Sequence, residues 1–190
     1  MLALTGNDRI TSSPQLLGPT AMHIDDEYSD ERIPLGYLIT FRSYGTWLHG
    51  ESGSVDRFHN IYGTPRLPGN AKRKQYNQRL LKQRPVKLDT RKRAAILSAI
   101  KETCDIRKWE LWVSNIRTNH VHAVVSALCK PEPILNALKA NATRKMRESG
   151  CWLSERSPWV RRGSKRYLWT EEDLHNAIAY VLYEQGESLP

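Results

Sequence analysis

Cysteine is scarce. Cys104, Cys129 and Cys151 are the only three in 190 residues, an odd number with no CxxC pair. A disulfide framework or a structural zinc site is therefore not expected, and a reducing cytosol suits the chain best. Long apolar runs are also missing. No stretch reaches the roughly 18 apolar residues that mark a transmembrane helix. The opening MLALTGNDRITSSPQ has no basic segment leading into an apolar one, so no secretory signal is expected. These absences predict a cytoplasmic protein.

Acidic residues are the second shortage. Asp+Glu number 20 against 29 Lys+Arg, a formal net charge of +9. The acids that exist are unevenly placed. Residues 1–33 hold Asp8, Asp25, Asp26, Glu27, Asp30 and Glu31 but only Arg9 and Arg32 as bases. Removing those six acids and two bases leaves 14 acidic and 27 basic residues in 34–190, a net of +13. Such a field favours a polyanion, most often nucleic acid, although a solvated basic face has the same composition. Residues 1–33 mix Ser, Thr, Gly, Pro and acids without periodicity and are expected to form a disordered acidic arm. Residues 34–190 are expected to form one domain, with a long basic insertion at about 50–89.

Within 34–190 the hydrophobic period changes repeatedly. Residues 36–42 (GYLITFR) are aromatic and β-branched and predict a strand. A short helix is expected near 75–83 in the insertion. Residues 90–108 repeat Ile96, Leu97, Ile100 and Cys104 at helical steps, with Asp89 or Thr90 as cap. Two strands follow at 110–118 and 120–128, joined by a tight turn near Asn119. A helix over 131–149 carries Ile134, Leu135, Leu138, Ala142 and Met146 as its apolar stripe. Tyr167-Leu168-Trp169 predicts a fourth strand. A last helix opens at Thr170, with Asp173 completing an approximate capping box and Leu174, Ile178, Val181 and Leu182 expected to be buried. The order β-α-β-β-α-β-α is that of an α+β, ferredoxin-like split βαβ sandwich: an antiparallel sheet with helices on one face, plus an extra C-terminal helix.

The candidate chemistry sits in His120-Val121-His122. Side chains alternate along a strand, so both imidazoles share one face and can ligate one divalent ion. Two partly exposed strand histidines without a metal fit the same tripeptide. On the last helix, Tyr180 and Glu184 lie one helical step apart and emerge together. They can act as nucleophile and metal ligand, or remain a packing aromatic and a solvated acid.

HVH on the second of two adjacent strands, with a helical tyrosine about sixty residues later, resembles the HUH single-tyrosine transposases. The REP-associated tyrosine transposases and their relatives are the most similar group. Tyr37-Leu38-Ile39-Thr40-Phe41 and Arg166-Tyr167-Leu168-Trp169 before the acidic-capped helix fit the same pattern, over residues 36–187. The resemblance implies an enzyme that cuts and rejoins single-stranded DNA through a covalent 5′-phosphotyrosine, with Mg²⁺ or Mn²⁺ as cofactor. It implies a hairpin-containing DNA partner, a nucleoid-associated location, a role in transposition or hairpin-repeat processing, and in some relatives a homodimer. Carried over, His120 and His122 are metal ligands and Tyr180 is the nucleophile, with Tyr183 its rival. The family has Asn or Gln four residues after the tyrosine. Here that position is Glu184, and Gln185 is one further, so either is the third ligand. Because of that departure, a catalytically inactive single-stranded nucleic-acid-binding module is the alternative. A metal hydrolase using water is a third.

DNA contacts are expected in residues 66–93 and 156–166, where cations alternate with Tyr76 and Trp159. The individual candidates are Lys72, Arg73 and Lys74 in the first segment and Arg161, Arg162, Lys165 and Arg166 in the second. His49 and His59 are read as ordinary loop residues.

Overall fold

The computed structural model describes residues 33–52 and 67–184. His59, Arg66, Gln185, nearly all of the expected arm and part of the insertion lie outside these residues. The elements are β1 (Gly36–Ser43), α1 (Ala71–Arg79), α2 (Thr90–Arg107), β2 (Glu110–Ile116), β3 (His120–Ser126), α3 (Pro131–Glu148), β4 (Trp159–Leu168) and α4 (Glu171–Tyr183). The four strands form one sheet in the order β2-β3-β1-β4, and each neighbouring pair is antiparallel. This is the split βαβ arrangement expected from the sequence.

The strand alternation divides the core in two. Ile39 and Phe41 of β1 and Val121, Ala123 and Val125 of β3 pack with Ile96 and Ile100 of α2 and Ile134, Leu138 and Met146 of α3. On the other face Val124 and Leu168 pack with Ala177 and Val181 of α4, flanked by Leu38, Val113, Leu174 and Ile178. Val121 to Val125 is buried without a break because β3 is an inner strand covered on both sides. Burying a Val or Ile side chain contributes about 1.5–3 kcal/mol, so α4 is fixed by its own apolar stripe. Leu182, expected in that stripe, is 47% exposed, and Ala177 takes its place. Leu174, Ala177, Ile178 and Val181 follow the i, i+3, i+4, i+7 rule more closely, and Leu182 falls just outside that arc.

Caps explain the helix starts. Asp89 accepts from the Lys92 backbone N–H (3.0 Å), and Thr170 accepts from that of Asp173 (3.1 Å). The α1 helix begins earlier than expected because the Asn70 side chain accepts from the Arg73 backbone N–H (2.9 Å). It has no buried residue, which is why hydrophobic period did not place it.

The largest difference from expectation is β4. It runs from Trp159 to Leu168, so most of the basic segment 156–166 is itself strand. As an edge strand, β4 has many exposed positions, so its apolar alternation is faint. Cations there also discourage pairing with a second sheet. Gly163 marks where α3 approaches: a Cβ on it would sit 2.7 Å from the Thr40 carbonyl oxygen and 2.8 Å from Leu135 Cδ1. Gly163→Ala should therefore destabilise the domain by about 1–3 kcal/mol through overpacking, read as a lower urea midpoint at unchanged slope.

The α2–α3 interface adds a polar clamp. Glu102 accepts from Lys145 (3.2 Å) and Arg144 (2.9 Å). These bonds hold its carboxyl below the usual carboxylate range. A depressed native value contributes stability above the unfolded value and loses it as pH falls through the native one. Glu102→Gln should accordingly flatten the acid limb of a plot of melting temperature against pH.

Candidate active site

The site is built on the exposed end of the α4-facing sheet surface. A tight turn joins β2 to β3, closed by the Arg117 N–H donating to the His120 carbonyl at 2.8 Å. His120 and His122 then leave the same face of β3. Their ring centroids are 4.7 Å apart, at an interplanar angle of 77°. In the sheet register His120 lies opposite Arg42, and His122 lies between Thr40 on β1 and Asn115 on β2.

Both rings are held by their Nδ1 atoms. His122 Nδ1 is 2.7 Å from Thr40 Oγ1, and His120 Nδ1 is 2.6 Å from Asn119 Oδ1. The tautomer protonated at Nδ1 can donate to both oxygens and carries its lone pair on Nε2. Orientation of this kind commonly accompanies metal-ligating histidines. The donor chemistry of the pair therefore fits a divalent ion such as Mg²⁺ or Mn²⁺, with imidazole better suited to Mn²⁺. His122 is only 6% exposed, so its position is set by packing as well.

The α4 helix brings Tyr180 to this pair. Its ring meets that of His122 in an edge-to-face contact, with centroids 5.5 Å apart at 80°. Tyr180 flanks the buried stripe and is 36% exposed. Tyr183 points away from the sheet and is 78% exposed. The Asn115 side chain donates to the Val181 carbonyl at 3.0 Å, tying the last turn of α4 to the strand beside His122. Thr40, Asn115 and Asn119 were not singled out from the sequence. For Thr40 and Asn115 the signal was strand register, which links residues far apart in the chain, whereas Asn119 is the immediate neighbour of His120.

Glu184 does not extend the helix as expected. It is the C-cap of α4, with its N–H donating to the Tyr180 carbonyl at 3.2 Å and its side chain exposed. Among the described residues, no three His, Cys, Asp or Glu side chains converge as a metal-binding group.

The candidate DNA-binding cations divide by their partners. Lys165 pairs with Glu132 of α3, Arg166 with Asp173 of α4 (3.3 Å), and Lys74 with Glu51 (3.2 Å). Arg161 and Arg162 are exposed on β4, and Lys72 and Arg73 are exposed on α1. Lys165 depresses the Glu132 carboxyl through their hydrogen bond. His49 and His175 lie exposed in the 44–52 segment and on α4.

Residues 79–172 match the model of the IS200-like transposases. The match includes His120 and His122 and stops short of Tyr180. A solved structure described as the REP-associated tyrosine transposase bound to a REP hairpin is similar at a TM-score of 0.43 and 12% identity. The similarity covers 82% of this chain and 69% of that one. No curated protein matches.

Proposed function

Starting from a chain that belongs to the IS200-like, HUH single-tyrosine transposase family, we propose that it cleaves and rejoins single-stranded DNA with Tyr180 as nucleophile. The observation that carries this reading is the Tyr180–His122 ring contact, which sets a hydroxyl-bearing side chain beside two oriented imidazoles. His120 and His122 would hold Mg²⁺ or Mn²⁺, with Glu184 or Gln185 as the third donor. Such an ion supplies Lewis-acid neutralisation of the scissile phosphate.

Tyr180 Oη attacks phosphorus, and the P–O3′ bond breaks. The 3′-oxygen leaves with the bonding pair and takes up a proton, so the phenol proton is in net terms transferred to it. The 5′ side of the break stays on the enzyme as a phosphotyrosine, which keeps the energy of the phosphodiester. A 3′-hydroxyl can then attack, break the P–Oη bond and return the proton to Tyr180. Thr40 and Asn119 hold the imidazole rings in place, and Asn115 holds the helix that bears the tyrosine. The substrate is proposed to contain a hairpin beside the unpaired cleavage site.

A second reading, a single-stranded nucleic-acid-binding module without turnover, is favoured by the exposed Glu184 at the position of the family's amide. Covalent capture separates the two. Wild-type protein is incubated with end-labelled hairpin oligonucleotides in Mn²⁺, Mg²⁺ or chelator and run on a denaturing gel. A metal-dependent shifted band is expected. Binding across a broad oligonucleotide pool with no such band would leave the binding module.

A further inference from the structure

A groove of about 680 Å³ opens at the same end of the sheet as His120, between the 44–49 segment, residues 81–83, α3 and the start of β4. That is a volume typical of ligand sites, about 300–1,000 Å³. Its lining includes Lys82, Lys139, Arg156 and Arg161, together with Trp47, and among the described residues no carboxylate. The walls are cross-braced. The Lys82 N–H donates to Tyr44 Oη (2.9 Å), the Arg156 guanidinium donates to the Lys82 carbonyl, and Gln83 donates to the Ser157 carbonyl (2.9 Å). Lys139 Nζ donates to the carbonyls of Val160 (2.6 Å) and Arg161 (3.2 Å), which fixes one positive charge at the wall.

Trp47 is the unusual residue. Its φ of 64° places a bulky side chain in the left-handed region, which costs free energy that its surroundings must offset. The Arg42 guanidinium lies 3.9 Å from its ring centroid, and Trp47 remains 39% exposed. Arg42 is in turn the cross-strand partner of His120. The strained backbone thus presents an aromatic surface one side chain away from the histidine pair.

The geometry points to this groove as a binding subsite for unpaired DNA flanking the cleavage site, with a base stacked on Trp47 and phosphates held by Lys82, Lys139, Arg156 and Arg161. A ring at a groove wall can receive a splayed base but not one inside a duplex. The choice of DNA as the polymer rests on the function proposed above. The subsite itself is tested without cleavage.

Fluorescein-labelled dT12 and a 12-base-pair duplex are titrated in chelator, with anisotropy as the readout. Wild type should bind dT12 more tightly than the duplex. Trp47→Ala should weaken dT12 binding about 5- to 100-fold, and Trp47→Phe should retain most of it. Arg161→Ala should lower the slope of log affinity against log salt by about 0.7. The subsite is refuted if wild type does not bind dT12, if Trp47→Ala binds within twofold of wild type, or if an abasic 12-mer binds as well as dT12. The thermal midpoint of Trp47→Ala checks its fold; should it not fold, the Arg161 slope and the abasic comparison decide. A covalent adduct with unaltered Trp47→Ala binding would sink the subsite and spare the nuclease. The reverse pattern would spare the subsite alone.

Discussion

Tyr180→Phe should abolish covalent DNA capture, with any residual strand cleavage down by at least about 10⁴-fold. Removing the nucleophile of a two-step transfer leaves only binding and electrostatic stabilisation, and losses of that size are typical. Folding should be spared. Phe keeps the ring that packs against His122, and Tyr180 is 36% exposed, so the melting temperature should stay within a degree or two. The same gel assay with Tyr183→Phe should look like wild type, because Tyr183 is 78% exposed on the far side of the helix. Full capture by Tyr180→Phe and its loss in Tyr183→Phe would exchange the two roles.

His122→Ala should reduce metal-dependent capture by at least about 100-fold and also destabilise the domain by about 1–3 kcal/mol. The two effects have separate causes. The first is loss of one of the two imidazoles proposed as metal ligands. The second follows from a side chain that is 6% exposed and 2.7 Å from Thr40 Oγ1, whose removal opens a cavity and strands the hydroxyl. His120→Ala should lose activity to a similar degree but cost less stability, because His120 is only partly buried at the strand end. Calorimetric titration of Mn²⁺ alongside thermal melts separates the effects. Equal stability losses in the two variants would contradict the packing argument. Unchanged Mn²⁺ affinity in both would contradict the ligand assignment.

The fold was largely legible because its signals are local. The HVH alternation placed Val121, Ala123 and Val125 on one face, and the structure packs them against α2 and α3. All five residues read as the α3 stripe are buried, because they recur at helical steps on a helix with one buried side, and Pro131 in its first turn is buried with them. Legibility failed where one side of an element is solvent. The β4 strand is an edge whose cations resemble a basic loop, and α1 buries nothing.

The candidate site was legible only in part for a different reason. His120, His122 and Tyr180 stand out as residue types at telling intervals. Thr40 and Asn115 do not, because their roles come from register and, for Asn115 and Val181, from contact across 66 residues, and Asn119 beside His120 was read only as a turn residue. Cation partners were equally hidden. Nothing in the sequence marks Lys165 as the partner of Glu132, 33 residues earlier.

The most direct test of the central claim is to locate the bond itself. Wild-type protein trapped with a hairpin oligonucleotide in Mn²⁺ is digested with trypsin and nuclease, and the adducted peptide is sequenced by mass spectrometry. The account predicts a nucleotide 5′-phosphate on Tyr180, with the released fragment ending in a 3′-hydroxyl. Phosphate on any other residue, or a cut that yields two free ends with no trapped peptide, would contradict it.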